Sequence, residues 1–277
     1  MRLATILTQA GPRLHVRGQS GYVDVAAETG NPEFAALAAV LEAGPAGMDA
    51  VRAVAGRDGR EYGPEDLGPA VPAPARILCL GVNYSEHAIE GGRAVPTWPE
   101  AFVRGRDSVL GPYADLVKPA LTGRFDFEGE LGIVIGVGGR YIPADKAMDA
   151  IAGFVVLNDA SAREWQRAGT QWTAGKNFEG SMPIGPEVVT TDEADMTDAQ
   201  LTTVLNGQVM QSARTSQMIV DIASAVEFFS SFTRLAPGDV IEVTIEGIGT
   251  IRNRVVAEPG DQASWRWHPA VTTKPGL

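Results

Sequence analysis

The chain is poor in cysteine, histidine and positive charge, and it lacks long apolar runs. Its single cysteine, Cys79, excludes a disulfide framework and a thiolate zinc site. Cys79 lies in the apolar run Arg76-Ile77-Leu78-Cys79-Leu80, where a thiol is expected to be a small buried hydrophobe. Lys and Arg number 23 against 34 Asp and Glu, a formal net charge of −11. An acidic surface repels phosphate backbones and anionic lipid, so nucleic-acid and membrane partners are disfavoured. Small anionic substrates are not excluded, because a local cation overrides the global field. No apolar run approaches the ~20 residues that span a bilayer, and the opening Met1-Arg2-Leu3 has no signal-peptide layout. A cytoplasmic protein is expected. No Gly-x-Ser-x-Gly nucleophile elbow occurs. Gly136-Val137-Gly138-Gly139 lacks the Lys-Ser/Thr of a phosphate loop and reads as a hairpin turn.

What is present is an ordinary globular composition, 44% hydrophobic and 21% charged over 277 residues. That length suggests about two domains. Residues 1–70 read as a small N-terminal domain. Leu14, Val16, Tyr22, Val23 and Val25 lie in strand-like stretches, followed by a helix that Asn31 can cap and Pro32 can start. Pro64, Gly68, Pro69, Pro72 and Pro74 mark a linker. A larger unit, 71–258, carries strand-like segments at 77–82, 131–137, 154–158, 187–191, 201–205 and 240–251. Its best helix is expected over 216–235, where Ile219, Ile222, Val226 and Phe229 recur at helical spacing. A tail, 259–277, holds Trp265 and Trp267. Many strands and few helices predict an α+β, mostly β, fold.

Glu128 and Glu130 in Phe127-Glu128-Gly129-Glu130-Leu131 alternate onto one face of a strand. Adjacent carboxylates entering an apolar strand repel unless a cation lies between them; the alternative is a solvated pair at a strand edge. Asp159 ends the apolar strand Phe154-Val155-Val156-Leu157-Asn158 and would complete a three-carboxylate site for a hard divalent ion; on its own it is equally a turn former. Of the three histidines, His15 sits in an alternating strand and reads as structural, and His268 lies in the tail. His87 and Glu90 are three apart, which suits an oriented general base and, from spacing alone, suits a surface ion pair better. Lys176 is unremarkable by itself. Arg163 and Gln166 follow Asp159 at +4 and +7, the spacing of one helical side.

Taken in order, Gly81-x-Asn83-Tyr84-x-x-His87-x-x-Glu90, Phe127-Glu128-Gly129-Glu130-Leu131, Asn158-Asp159-x-Ser161-x-Arg163-x-x-Gln166, Gly175-Lys176-Asn177-Phe178, Asn206-Gly207-x-x-Met210-Gln211 and Pro237-Gly238-Asp239-Val240-Ile241 resemble the fumarylacetoacetate hydrolase family. The resemblance runs from about Arg76 to Glu258. It implies a mixed β-sandwich roll behind a small N-terminal α/β domain, and a homodimer. It implies Mg²⁺ or Mn²⁺ held by Glu128, Glu130 and Asp159, and a substrate that is a 2-oxo acid or 1,3-dicarbonyl. It further implies that Lys176 stabilises an enolate, that Glu90 orients His87 to move a proton or activate water, and that Asn83, Tyr84, Arg163 and Gln166 support the substrate. The expected activity is metal-dependent C–C hydrolysis, with decarboxylation or tautomerisation open through the same enolate. The sequence departs from the family in one place. Asp239-Val240-Ile241 runs directly into Glu242-Val243-Thr244, without the Thr-Gly-Thr-Pro loop that helps hold a substrate carboxylate. That loss leaves a catalytically degenerate binding or assembly protein as the alternative. Arg104 stands where the family more often has lysine, a swap that carries little weight by sequence.

Overall fold

The computed structural model describes residues 1–84, 94–243 and 249–260. Strands β1 (Arg2–Thr8), β2 (Gly11–Arg17), β3 (Tyr22–Asp24), β4 (Ile77–Gly81), β5 (Glu100–Arg104), β6 (Val109–Leu110), β7 (Leu116–Lys118) and β8 (Phe125–Asp126) form the first half. The second half holds β9 (Gly129–Ile135), β10 (Ile151–Asn158), β11 (Ser161–Ala162), β12 (Met182–Thr190), β13 (Gln200–Leu205), β14 (Gln208–Arg214), β15 (Val240–Val243) and β16 (Val255–Ala257). Ten of them build one sheet in the order β3-β2-β1-β12-β10-β9-β15-β4-β5, with β6 on β12. The first three strands continue the central sheet through the β1–β12 pairing. The pairs β8–β11, β13–β14 and β7–β16 stand outside it.

The central strands are apolar on both faces because both faces are covered. In β9, Val134 joins one core cluster while Leu131, Ile133 and Ile135 join the other. In β10, Val155 and Leu157 face the first and Phe154 and Val156 the second. The helices Leu37–Glu42 and Pro45–Val54 cover the first face with Leu37, Val40, Leu41, Val51 and Val54. The helix Ile222–Phe232 covers the second with Ala225, Val226 and Phe229. Fully burying one such side chain contributes roughly 1.5–3 kcal/mol, so these two layers dominate the stability.

The mostly β fold of the sequence reading is therefore present, with local differences that have physical causes. Asn31 does cap, its Oδ1 accepting from the Glu33 amide at 3.1 Å, but only the short 3-10 turn Pro32–Ala35 forms. The chain re-extends at Ala36 before the next helix, which lets Leu37 and Leu41 reach the sheet. The helix expected over 216–235 is confined to Ile222–Phe232. Asp221 starts it by accepting from the Ser224 amide at 2.7 Å, and Ile219 upstream instead donates its amide to the Asn83 carbonyl at 2.8 Å. Gly136–Gly139 is not a tight hairpin turn. It opens a longer connection that carries a helical turn, Ala147–Ala150, and Gly139 bridges to Leu235. Of the strand expected over 240–251, Val240–Val243 is strand, Ile251 is not, and residues 244–248, where the family loop is missing, lie outside the described residues. No helix among the described residues is long and apolar enough to cross a membrane.

Candidate active site: a buried carboxylate and lysine cluster

The site forms where β9 begins and β10 ends. Antiparallel register puts Gly129 opposite Asn158 and Glu130 opposite Leu157. The junction is then fixed by one side-chain and one backbone acceptor. The Glu128 amide donates to Asn158 Oδ1 at 3.0 Å, and the Asp159 amide donates to the Glu128 carbonyl at 2.7 Å. The Gly129 amide donates to Gln211 Oε1 of β14 at 3.0 Å. A Cβ at residue 129 would lie 2.3 Å from Thr203 Oγ1, so a larger residue there would have to displace that hydroxyl. The hairpin β13–β14 thus packs its middle, where Thr203 pairs with Gln211, against the segment between the two glutamates.

Asp159 is 1% exposed. One oxygen, Oδ1, accepts from Arg104 Nη1, and the other, Oδ2, accepts from Lys176 Nζ. Lys176 Nζ also donates to Glu128 Oε2 at 2.8 Å, so one ammonium joins both carboxylates. The remaining Glu128 oxygen, Oε1, accepts from Arg163 Nη1 and, at 3.2 Å, from Ser161 Oγ. Arg163 is braced by Asp126 at 2.8 Å and by Gln166 Oε1 at 3.0 Å. Burial would push the Asp159 carboxyl up, but the facing Lys176 and Arg104 overcome it and hold the group below the usual aspartate value, so it stays ionised. The Arg163 guanidinium is held charged against desolvation by Glu128 and Asp126.

Lys176 reaches the cluster through tight local packing. It ends the helical turn Thr173–Lys176, which sits against the turn Arg163–Arg167. A Cβ on Gly175 would lie 2.4 Å from the Gln166 backbone nitrogen, so glycine alone permits that approach. The ammonium lies 5.1 Å above the Phe102 ring, whose edge packs against Trp172 at 5.5 Å.

Glu128, Asp159, Lys176, Arg163 and Gln166 are brought together, and Glu130 follows on the same strand, half-buried. Arg163 and Gln166 do not share a helix with Asp159, which lies beyond the end of β10. They reach the site from the separate turn Arg163–Arg167. Asn83 is clamped at both ends of its amide to the Val220 backbone. Its Nδ2 donates to the Val220 carbonyl at 2.9 Å and its Oδ1 accepts from the Val220 amide at 2.8 Å. Tyr84 bridges to Met218. His87 and Glu90 lie outside the described residues, as does His268. His15 is buried in β2, as a structural histidine should be. Sequence reasoning gave Arg104 little weight, met Gln211 only within a family motif, and passed over Asp126 and Ser181. Arg104 could have been found, because strand alternation places it two residues after Phe102, on the same face.

The donor set suits a hard divalent cation. It is all oxygen, Asp159 within it is held ionised, and a carboxylate has about four lone-pair sites, of which the present partners use only some. Within the cluster the carboxylates of Asp126, Glu128 and Asp159 face the cations Arg104, Arg163 and Lys176. Among the described residues no three His, Cys, Asp or Glu side chains are already gathered around one point. Between Glu128 and Asp159 the cation is the Lys176 ammonium. A cavity of about 130 Å³, bounded by Leu80, Asn83, Trp98 and Val220, opens at the end of β4; none of the three carboxylates expected to bind metal lines it.

The model of the fumarylacetoacetate (FAA) hydrolase C-terminal domain matches residues 76–266. The mitochondrial oxaloacetate tautomerase FAHD2A of Bos taurus is 39% identical over 197 residues, covering 69% of this chain and 63% of that protein. The chain therefore spans less than two thirds of the bovine protein's length. A crystal structure of a putative HpcE protein from Mycobacterium smegmatis superposes with a TM-score of 0.80 at 34% identity, covering 88% of this chain and 86% of that one. The crystal structure of 5-carboxymethyl-2-hydroxymuconate delta-isomerase from the same organism gives 0.72 at 29% identity, covering 94% of this chain and 100% of that one.

Proposed function

The chain belongs to the fumarylacetoacetate hydrolase family, and on that premise we propose that it is a divalent-metal-dependent enzyme acting on a small 2-oxo acid through an enolate, with keto–enol tautomerisation as its reaction. The observation that carries this reading is the ammonium of Lys176 buried between the carboxyl groups of Glu128 and Asp159. Tautomerisation is favoured over the C–C hydrolysis expected from sequence because the similar proteins named above include a tautomerase and an isomerase. Both names describe isomerisation, with no bond to water formed.

Glu128, Glu130 and Asp159 would hold Mg²⁺ or Mn²⁺, which when bound supplies a Lewis acid toward the oxygens of the oxo acid. The protein's own groups do the rest. The Lys176 ammonium sits in a water-poor site where negative charge on an enolate oxygen is strongly stabilised. Arg163, braced by Asp126 and Gln166, fixes Glu128. The Asn83 clamp on Val220 ties the end of β4 to the segment before the helix Ile222–Phe232, and so places the chain that leads to His87. His87, oriented by Glu90, is the proton carrier in this proposal. It takes the proton from the carbon beside the carbonyl and returns it to the carbonyl oxygen. The proposal includes a homodimer.

The test is to follow the enol absorbance of oxaloacetate with protein treated with chelator and then resupplied with Mn²⁺. Turnover should vanish with chelator and return with the metal. Full activity in chelator would remove the metal from the proposal, and absence of turnover under both conditions would remove the tautomerase reading.

A further inference from the structure

The cluster contains a cation that the proposed reaction does not use. Arg104 is a fully buried side chain in β5, paired across to Ile77 of the central sheet. All three of its nitrogens are engaged. Its Nη1 donates to Asp159 Oδ1, its Nη2 to Ser181 Oγ at 2.5 Å, and its Nε to Ser108 Oγ at 3.3 Å. Both serines donate their own protons elsewhere, Ser181 to the Phe178 carbonyl at 2.6 Å and Ser108 to the Gly105 carbonyl at 2.7 Å. Their lone pairs are therefore turned toward the guanidinium, in a socket shaped for a planar fork. Lys176, by contrast, is a compact ammonium at the end of a four-residue helical turn, shared between Asp159 and Glu128.

We propose that Arg104 is a positioning residue: it carries the charge of Asp159 permanently, so that Lys176 can leave Asp159 and meet the reacting oxygen. This rests on the reading of the cluster as the active site. A buried carboxylate cannot be left without a cation except at large cost. With Lys176 as its only partner, Asp159 would hold the ammonium in place. A guanidinium does not deprotonate in proteins, and here its fork is fixed from three directions, so it supplies that charge whatever Lys176 does.

Arg104→Met, Arg104→Lys and Ser181→Ala in the full chain test this. Arg104→Met should lose about tenfold or more in kcat on oxaloacetate with KM within about threefold, because ground-state binding is untouched. Arg104→Lys, which keeps the charge, should recover most of that loss. Should Arg104→Met fail to fold, Ser181→Ala reads the same effect, lowering kcat about threefold with KM unchanged. A kcat within about twofold of the parent in Arg104→Met, or in Ser181→Ala if that variant stands alone, overturns the assignment. Thermal melts of Lys176→Met, Arg104→Met and the double variant decide it independently of turnover. With chelator present, so that no divalent ion compensates the carboxylate, the double variant should lose more than the two singles together, since only then is Asp159 left without a cation. Additive losses overturn it. An inactive parent with a non-additive cycle would retire the tautomerase reading and leave the Arg104 assignment standing.

Discussion

Asp159 stays ionised in the interior because two cations from distant parts of the chain converge on it, and the same logic applied to a base gives a pH prediction. Burial in β2 pushes the His15 imidazole below its ordinary value of 6.5, against the opposing pull of the Arg13 carbonyl, 3.0 Å from Nδ1, and of the Asp24 charge. Asp24 and Arg13 are the charged groups near it, and the Tyr62 ring packs edge-on at 5.5 Å. A base with a lowered folded value binds its proton more weakly in the native state. Its stabilisation is complete above pH 6.5 and is lost as pH falls from there through the folded value. The melting temperature should therefore drop between pH 7 and pH 5, and His15→Gln should flatten that dependence. An unchanged slope in the variant would assign the drop to other groups. At this scale the sequence revealed the residues whose types and order matched the family, namely Glu128, Asp159 and Lys176. It hid Arg104, because the meaning of an arginine depends on a partner 55 positions away. It did not show the Asn83 clamp, whose backbone partner Val220 is 137 positions distant.

Elements set where the charges meet. The turns Arg163–Arg167 and Thr173–Lys176 touch only because Gly175 has no side chain. The atoms a Cβ would strike are the backbone nitrogen and Cα of Gln166, at 2.4 and 2.5 Å, which cannot rotate away. Gly175→Ala should therefore separate the two turns and draw Lys176 from Asp159. The expected result is a loss of about tenfold or more in kcat, since a small misplacement of a positioned group is costly, with a melt only a few degrees lower. Parent-like kcat would show that the placement of Lys176 is not demanding. Strand existence was legible from alternation and apolar runs, and the boundaries were less so. Met182–Thr190 is buried along its whole length, so alternation could not show that the strand begins well before residue 187. The helix over 216–235 was overestimated because Met218 and Val220 pack on the same core as the helix without being helical.

Across the whole molecule, net charge of −11 opposes self-association, and one surface escapes that repulsion. Residues 200–213 contain no Asp, Glu, Lys or Arg, and the hairpin β13–β14 exposes Val204, Leu205, Val209 and Met210. A two-stranded hairpin is marginal by itself and gains from a partner. If the homodimer uses this face, Val209→Glu with Met210→Glu should shift the solution mass toward the 29.2 kDa of one chain, read by light scattering. An unchanged dimer would place the contact elsewhere. The middle of the same hairpin holds the Gly129 amide through Gln211, so disturbing the face should also lower activity. The family and mostly β character were legible over most of the chain. The continuation of β1 into the central sheet was not, because the β1–β12 register joins residues 187 positions apart in the chain.

The most direct measurement is the tautomerisation rate of Lys176→Met beside the parent, both with Mn²⁺ and both shown to be folded. Arg104 remains to hold Asp159, so the variant should melt close to the parent while losing about a hundredfold in kcat. A folded Lys176→Met as active as the parent would contradict the assignment of this cluster as the seat of the chemistry.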